Sequence, residues 1–409
     1  MVAKGTNLPA ISVYNRRVVL QAIRDNGPIS RSEIAKLTGL TNASMTNIVR
    51  RLISDGVVEE TGQDPSPRGK PRTLLNLCAS AQFAAGVLID TDRLVYVLTD
   101  LAGQIVAQER SEGVHDRDPD SVVDEIARSM WAMVDAAGVD RGSVIGLGVA
   151  APGPLDALRG ELISPPYLPR WHAYPLAERL QERLGLLVLV ANDANATAMG
   201  EHWLTDAREK KNFACIFMGD GIGTGMFLDG HVFAGTSQNA GEIAHMSLDV
   251  HGLQCWCGNR GCLEFYASPT AMAAAAANLG VEESPAGYTT LRHRAAKGEP
   301  EPVAILDDAA KYLSVAAVNL SALLDLQLIV LAGKGFNGVE EIFVNAAQEA
   351  LAERNRNGTA SQATVRMSLV GDVAAAVGAA TLVLDHELSP SLAKAQLPTP
   401  DHPDTQPAA

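Results

Sequence analysis

The chain has 409 residues, of which 47% are apolar and 20% charged, and its formal net charge is −14. This composition is ordinary for a soluble globular protein of two or three domains with a large core. It contains no run of eighteen apolar residues and no apolar signal core near the N-terminus. We therefore expect a cytoplasmic protein with no membrane partner.

The charge is unevenly distributed along the chain. Residues 1–75 carry eleven Lys and Arg against six Asp and Glu, a net charge of +5. The remaining residues carry 22 against 41, a net charge of −19. A basic N-terminal region on an acidic body indicates nucleic acid as the partner of the first region and a different ligand for the second.

Short helices are predicted at the start of the chain. The first covers Val18–Asp25 and is closed by an Asn-Gly-Pro turn. In the second, Ser30 is expected to cap the helix and Glu33 to complete a capping box. This helix ends where Gly39 supplies a left-handed C-cap.

A third helix is predicted to begin near Thr41 or Asn42. Its apolar residues recur at helical spacing from Met45 to Leu52, so one face packs inward. A short helix, a glycine turn and a helix with polar residues near its start form a helix-turn-helix pattern, which reads DNA in the major groove. The outward residues that we expect to contact DNA are Asn42, Ser44, Thr46, Asn47, Arg50 and Arg51.

Two strands, Val57–Glu60 and Thr73–Leu77, are predicted around a Pro/Gly loop. The loop cations Arg68, Lys70 and Arg72 suit phosphate or minor-groove contacts, as in the wing of a winged helix. We predict a winged helix-turn-helix domain over residues 12–78. A small protein-interaction domain with a solvated charged face is the alternative, but pattern, charge and wing together favour DNA.

The sequence changes character from Phe83 onward. Short apolar runs that end in Gly, Asp or Asn alternate with helical stretches, which is typical of an α/β fold. Ligands of such folds bind beyond the strand ends, so Asn192, Asp193 and the loops at 219–225 and 333–335 are candidate sites. The Pro-rich, polar tail at 389–409 is predicted to be disordered. The helices predicted in this part are Ser121–Ala137, Pro175–Leu184 and Pro302–Leu324.

Cys255, Cys257 and Cys262 fall within eight residues, and the intervening glycines allow the backbone to curl. In a reducing compartment, such a cluster favours a structural Zn²⁺ site over a disulfide. A redox pair is disfavoured because such pairs have two residues between their cysteines. Tetrahedral zinc requires a fourth ligand, for which His245 and His251 compete.

Several motifs occur in a fixed order after the predicted winged helix. They read GVAAPGPLD, NDANATAMGE, GEIAHM, CWCGNRGCLE and GDVAAAVGAATL. Over roughly residues 12–388 this order resembles the ROK family, which groups bacterial sugar-responsive repressors with sugar kinases. The chain resembles the transcriptional-regulator branch of that family.

The resemblance implies an α/β fold class: a winged helix-turn-helix followed by a two-lobed, actin- or hexokinase-like (ribonuclease H-like) body at residues 82–388. The first lobe is expected at about 82–190 plus the C-terminal helix, and the second at about 191–370. The family pattern also implies that His245, in GEIAHM, is the fourth zinc ligand. His251 is then a loop histidine.

The resemblance further implies a sugar in the cleft between the lobes. His245 is expected to use one ring nitrogen for zinc and the other for the sugar. The zinc is expected to hold together the loops that carry Glu242 and Glu264. Gly153 and the ISPPYLPRW segment with Trp171 are expected to line the same cleft. The expected sugar-binding residues are Asn192, Asp193, Glu242, His245 and Glu264.

Asp193 occupies the position of the general base in the family's kinases. These kinases also carry an Asp-x-Gly-Gly-Thr turn, for which this chain has LIDTD, with Asp90, Thr91 and Asp92 in place of both glycines and the threonine. In MGDGIGTG, Asp220 stands where kinases usually have threonine. Carboxylates here are expected to repel ATP phosphates, so no enzyme activity is predicted.

The sequence therefore predicts a transcriptional regulator that represses carbohydrate genes. A sugar or sugar phosphate in the cleft is expected to alter lobe closure and the spacing of the DNA-binding heads. Paired heads on operator DNA imply a homodimer or homotetramer. A sugar kinase with a fused DNA-binding head, or a regulator whose effector is a partner protein, are the alternatives.

Overall fold

A computed structural model of the chain describes residues 8–64, 72–356, 358 and 363–388. It divides into two compact units, Met1–Gln82 with Leu384–Ala409, and Phe83–Val383. The wing residues Arg68 and Lys70 and the tail at 389–409 lie outside the described residues. None of the described helices combines the length and apolar character needed to cross a membrane.

The N-terminal unit contains helices and a small sheet with the strand order β1-β3-β2. The first helix begins at Leu8 rather than at the predicted Val18. This extension contains apolar residues, but Ile11 and Val13 are exposed, so it does not continue the buried face on which the prediction was based. The elements are α1 (Leu8–Asn26), β1 (Ile29–Ser30), α2 (Arg31–Thr38), α3 (Asn42–Ser54), β2 (Val58–Asp64) and β3 (Arg72–Leu77).

The predicted helix caps of this unit are present. Ser30 Oγ accepts from Glu33 N, and Glu33 Oε2 accepts from Ser30 N, which completes the capping box of α2. Gly39 ends α2 in the left-handed conformation, and Thr41 caps α3. Met45, Val49 and Leu52 are buried on the inner face of α3, so its opposite face is left for solvent or a partner.

The second unit has two lobes with the same strand topology. In the first lobe an antiparallel meander, β4-β5-β6, is extended beside β4 by the parallel strands β7 and β10. Helices α4 and α5 contribute to the core of this lobe. The elements are β4 (Phe83–Ile89), β5 (Arg93–Asp100), β6 (Ile105–Glu112), α4 (Pro119–Ala136), β7 (Val144–Ala151), β8 (Leu155–Asp156), β9 (Glu161–Leu162), α5 (Leu176–Leu184) and β10 (Leu187–Asn192).

The second lobe repeats this arrangement. A meander of β11, β12 and β13 is extended beside β11 by the parallel strands β14 and β15. The elements are α6 (Asp193–Leu204), β11 (Phe213–Met218), β12 (Ile222–Leu228), β13 (His231–Val232), α7 (Glu264–Ala267), α8 (Pro269–Ala275), α9 (Pro285–Ala296), α10 (Pro300–Leu324), β14 (Leu328–Ala332), α11 (Glu340–Arg354) and β15 (Thr364–Met367). The last helix, α12 (Ala374–Leu388), packs against the first-lobe sheet, where the absence of side chains at Gly86 and Gly148 lets its backbone approach β4 and β7.

The repeated topology positions the candidate site. The first hairpin turn of each lobe, at residues 90–92 and 219–221, contributes to one cleft, as does the end of β10. This agrees with the rule that ligands of α/β folds bind beyond the strand ends. The α/β fold class and the order of its parts were therefore predictable from the sequence.

Candidate functional site

A group of polar side chains, which we call the carboxylate pocket, lines one part of this cleft. Asn192 ends β10 and Asp193 begins α6, so the strand-to-helix junction fixes both. The other members come from the turn after β13 and from the first residue of α7. The carboxylate pocket consists of Asn192, Asp193, Glu242, His245 and Glu264, all of which line the cleft.

The Asn192 side chain is held in place by the start of α6. Asn192 Oδ1 accepts from the backbone N–H groups of Ala194 (3.0 Å) and Asn195 (3.3 Å), so it caps α6. A Cβ atom at Gly153 would lie 3.3 Å from Asn192 Nδ2 and 3.7 Å from Glu242 Oε1. The absence of a side chain at Gly153 therefore lets the amide and the carboxylate approach the same space.

The three carboxylates of the pocket have no cationic partner among the described residues. Burial, followed by the charges of Asp90, Glu242 and Asp220, raises the pKa of Asp193 to about 7, against the opposing hydrogen bond from Ala194 N. Partial burial alone raises the pKa of Glu242. Burial also raises the pKa of Glu264, although a bond from Tyr167 opposes the shift. These acceptor oxygens suit a ligand rich in neutral donors.

Tyr167 belongs to the ISPPYLPRW segment that was predicted to line the cleft, and it does line it, although it was not singled out as a site residue. Its hydroxyl donates to Glu264 Oε1 at 2.7 Å, which joins a first-lobe loop to the second lobe. Trp171, predicted to line the cleft from the same loop, is fully buried in the first-lobe core, and this prediction was wrong. A large apolar ring gains more from the core than from a polar cleft, and the sequence alone does not reveal which of two nearby aromatic residues is buried.

The cysteine loop brings one histidine and three cysteines together. One donor atom from each of His245, Cys255, Cys257 and Cys262 lies within 4.8 Å of the others. The Cys257 and Cys262 sulfurs are 3.6 Å apart, as are Cys255 Sγ and His245 Nδ1. Sulfurs bound to one tetrahedral zinc at about 2.3 Å lie about 3.8 Å apart, so this donor set fits the metal.

Backbone hydrogen bonds hold this loop in shape. Cys255 N donates to Asn259 O, and Asn259 Nδ2 donates to His245 O at 3.0 Å. His251 is exposed and lies outside the four-residue cluster. Trp256, which the sequence analysis passed over, packs edge-on to the His245 ring at 4.7 Å and lines the cleft. With Nδ1 directed to Cys255, the other His245 nitrogen remains for a ligand.

A second group, which we call the lysine cluster, is formed by Lys334 and three aspartates, two of which line the cleft. Lys334, just after β14, extends Nζ to within 3.0 Å of Asp90, 2.6 Å of Asp92 and 2.9 Å of Asp220. Thr91 Oγ1 also donates to Asp220. The two aspartates of the first hairpin are thus joined to the second lobe. The sequence indicates the loop at 333–335 as a candidate site, but it does not show that Lys334 pairs with these carboxylates.

The charges within the lysine cluster compensate one another in part. Burial raises the pKa of Asp90 to about 6, with Lys334 opposing and the other two aspartates adding to the rise. Burial would lower the pKa of Lys334, but Asp90 and Asp220 outweigh it, so the ammonium is retained. One cation faces three carboxylates, and the cluster therefore keeps a negative excess.

The outer face of α3 is the candidate DNA surface. All six predicted residues of this helix, and Arg72 at the start of β3, are exposed. The Thr46 hydroxyl donates to Asn42 O, so it is engaged within the helix. Arg50 and Arg51 form no ion pair within the described part of the chain, which leaves both guanidinium groups available to phosphates.

Comparison with known protein families assigns a family model to each of the two regions of this chain. The ROK family model matches residues 84–386, and a winged helix-turn-helix DNA-binding model matches residues 14–59. A xylose repressor of Bacillus subtilis (strain 168) is 26% identical over 378 residues, covering 92% of this chain and 97% of the repressor.

Solved structures show the same relationship. The crystal structure of a ROK family transcriptional regulator, a homologue of the Escherichia coli MLC protein, superposes with a TM-score of 0.77 at 25% identity and covers 93% of this chain and 98% of its own. A ROK family glucokinase from Streptomyces griseus, in complex with glucose and AMPPNP, gives a TM-score of 0.63 at 26% identity, covering 73% of this chain and 98% of its own. This chain therefore belongs to the ROK family and carries a winged helix-turn-helix region at its N-terminus.

Proposed function

We propose that this chain is a sugar-responsive transcriptional regulator that represses carbohydrate genes. The observation that carries the proposal is the carboxylate pocket, whose three carboxylates lack a cationic partner in the described residues and so offer free acceptors to hydroxyl groups. The same chain carries a DNA-binding region. Two similar proteins support a sugar as the ligand: one is a xylose repressor, and the other is a ROK family glucokinase whose structure contains glucose.

Each member of the pocket has a role in this proposal. Asp193, Glu242 and Glu264 accept hydrogen bonds from sugar hydroxyls. Asn192 contributes Nδ2 as a donor, because its oxygen already caps α6. His245 presents the ring nitrogen that does not face Cys255. Donors and acceptors arranged in this way distinguish sugars by the positions of their hydroxyls.

We propose that a structural Zn²⁺ is held by His245, Cys255, Cys257 and Cys262. When bound, the metal fixes the loop before α7 and so positions Glu264 relative to Glu242. Elemental analysis of the purified chain is expected to find one zinc per chain, and none in Cys255→Ser. Zinc retained at full stoichiometry in that variant would contradict the ligand set.

The DNA-binding role belongs to the N-terminal unit. We propose that α3 enters the major groove and that the wing contacts the backbone, within a homodimer or homotetramer. Sugar binding releases the operator in this proposal, because the sugar binds the DNA-free form of the protein more tightly than the DNA-bound form. The proposed DNA contacts are Asn42, Ser44, Thr46, Asn47, Arg50, Arg51, Arg68, Lys70 and Arg72.

The first experiment is thermal unfolding of the full chain with hexoses, pentoses, amino sugars, their phosphates, and ATP with magnesium. A ligand that binds only the folded state raises the midpoint by mass action. We expect a shift with one sugar and none with ATP. The same sugar is expected to release an operator fragment in a fluorescence anisotropy titration, and failure of every sugar to do so would contradict the proposal.

A sugar kinase is the second candidate, because a pKa near 7 suits Asp193 to general-base work. The lysine cluster opposes this role, since its side chains and negative excess occupy the position where nucleotide phosphates would bind. ATP-dependent transfer of labelled phosphate to any sugar of the panel, abolished in Asp193→Asn, would establish the kinase instead.

A further inference from the structure

We infer that the effector is an uncharged sugar and that the pocket rejects the phosphorylated form. This inference rests on the proposed function and specifies its ligand class. Five acidic residues line the cleft, and no lysine or arginine is among its lining residues in the described part of the chain. The acidic residues are Asp90, Asp193, Asp220, Glu242 and Glu264.

Lys334 contacts two of these residues, Asp90 and Asp220, and its ammonium is already paired with them. Its ammonium lies within 3.0 Å of three carboxylates, and its side chain is only 14% exposed. To bind a phosphate, Lys334 would have to leave Asp90 and Asp220, both buried, without their cation. Stranding buried carboxylates costs more than a phosphate contact returns.

The proposed metal does not supply positive charge either. A zinc ion with three thiolates and a neutral histidine has a net charge of −1, so the cysteine loop does not attract an anion. Arg170, close to the cleft loop in sequence, is also engaged, because it donates to Asp116 O at 2.8 Å and pairs with Asp118 at 3.5 Å. Among the described residues, no cation that lines the cleft is left to neutralise a phosphate dianion.

The carboxylates of the cleft already repel one another. After burial, the charges of Asp90, Glu242 and Asp220 contribute to the raised pKa of Asp193. A phosphate placed among them meets the same repulsion with twice the charge, whereas neutral hydroxyls donate to the carboxylates. Like charges a few ångströms apart in such an environment cost enough to weaken binding by about a hundredfold or more.

The test compares matched pairs by calorimetric titration of the full, zinc-loaded chain. The probes are glucose and glucose 6-phosphate, N-acetylglucosamine and its 6-phosphate, and xylose and its 5-phosphate. We expect one neutral sugar to bind and its phosphate to bind about a hundredfold more weakly or not at all. A phosphate that binds as tightly as its parent sugar, or more tightly, overturns the inference and leaves the proposed function standing.

Arg170→Ala provides the control for an unforeseen anion site. We expect this variant to bind the neutral sugar, and to discriminate against its phosphate, as the wild type does. If the wild type binds a phosphate and Arg170→Ala loses that binding, Arg170 recognises the anion and the inference is wrong. If no member of any pair binds and operator release also fails, the proposed function falls, and this inference with it.

Discussion

The carboxylate pocket and the lysine cluster are both rich in acidic side chains, yet they differ in how the charge is compensated. In the lysine cluster, Nζ of Lys334 lies within 3.0 Å of each aspartate. In the carboxylate pocket, Glu264 is bonded by Tyr167 and Asp193 by a backbone N–H, and neither has a cation among the described residues. The carboxylates of the lysine cluster are neutralised in part by a cation of the chain itself, whereas those of the carboxylate pocket can accept hydrogen bonds from a ligand.

This difference separates residues that hold the protein together from residues that await a ligand. A carboxylate with its own cation stabilises the fold, and removing that cation leaves a desolvated charge. A carboxylate without one costs stability until a ligand supplies donors, which is typical of binding sites. Substitutions in the two groups should therefore have opposite effects on stability and on ligand response.

The largest effect is expected from Lys334→Met. Asp90, Asp92 and Asp220 lose their cation, and we expect the free energy of unfolding at pH 7 to fall by about 3 kcal/mol in a urea titration. The loss should be smaller at pH 5 than at pH 8, because burial raises the pKa of Asp90 to about 6 even with Lys334 in place, and a protonated Asp90 no longer needs the cation. Sugar affinity should change much less than stability.

Lys311→Met is the control for that variant. Lys311 pairs with Asp308 on α10, where the two side chains are 72% and 67% exposed, and such pairs contribute little to stability. Equal losses in the two variants would show that the lysine cluster is no more than a surface ion pair.

Asp193→Asn should produce the opposite pattern. We expect sugar affinity to fall by about 10- to 100-fold, because a charged acceptor is lost, while operator binding is unchanged. The raised pKa means that ionised Asp193 destabilises the fold above the ordinary carboxyl pKa, so the variant should be more stable than the wild type at pH 8. Asp308→Asn, exposed on α10, should change neither property. A normal sugar response in Asp193→Asn would refute the assignment of the pocket.

The pH dependence of sugar binding should reflect the same residue. Sugar hydroxyls favour the ionised form of Asp193, whose pKa is about 7 because of burial and the facing charges of Asp90, Glu242 and Asp220. Affinity should therefore rise by about tenfold between pH 6 and pH 8 as the proton leaves. Calorimetric titration of Asp193→Asn should show a flatter profile over this range, and a profile as steep as the wild type's would assign the proton to another group.

The smallest effect is expected from Tyr167→Phe, which removes the bond to Glu264. Stability should fall by about 1 kcal/mol, and sugar affinity should rise by about fivefold because the sugar no longer competes with the tyrosine hydroxyl. Tyr174→Phe is a matched control, since Tyr174 donates to Asp120 at 2.6 Å inside the first lobe. It should lower stability and leave sugar binding unchanged. Weaker sugar binding in Tyr167→Phe would indicate that Tyr167 contacts the sugar directly.

The sequence predicted those features whose signals are local. The capping box at Ser30 and Glu33, the buried face of α3 and the cysteine spacing each lie within a few residues, so residue type and spacing suffice. The family resemblance added the choice of His245 over His251, and the four-residue cluster contains His245.

The features that sequence analysis missed depend on residues far apart in the chain. Lys334 contacts Asp90, which is 244 residues away in the sequence, and Tyr167 contacts Glu264, which is 97 residues away. Nothing next to Lys334 in the sequence indicates three aspartate partners. The error at Trp171 has the same origin, because the packing of the whole first lobe decides which aromatic residue of the loop is buried.

The Asn192 side chain contributes both to the stability of α6 and to the proposed ligand site, and this has a consequence for the phenotypes of mutants. Its oxygen caps α6 while its amide nitrogen faces the cleft beside Gly153. A substitution such as Asn192→Ala removes the cap and the amide donor together, so we expect it to lower the amount of folded protein in the cell. In a genetic selection, such alleles would score as loss of repression. Alleles that repress permanently and ignore the sugar should arise at Asp193 instead.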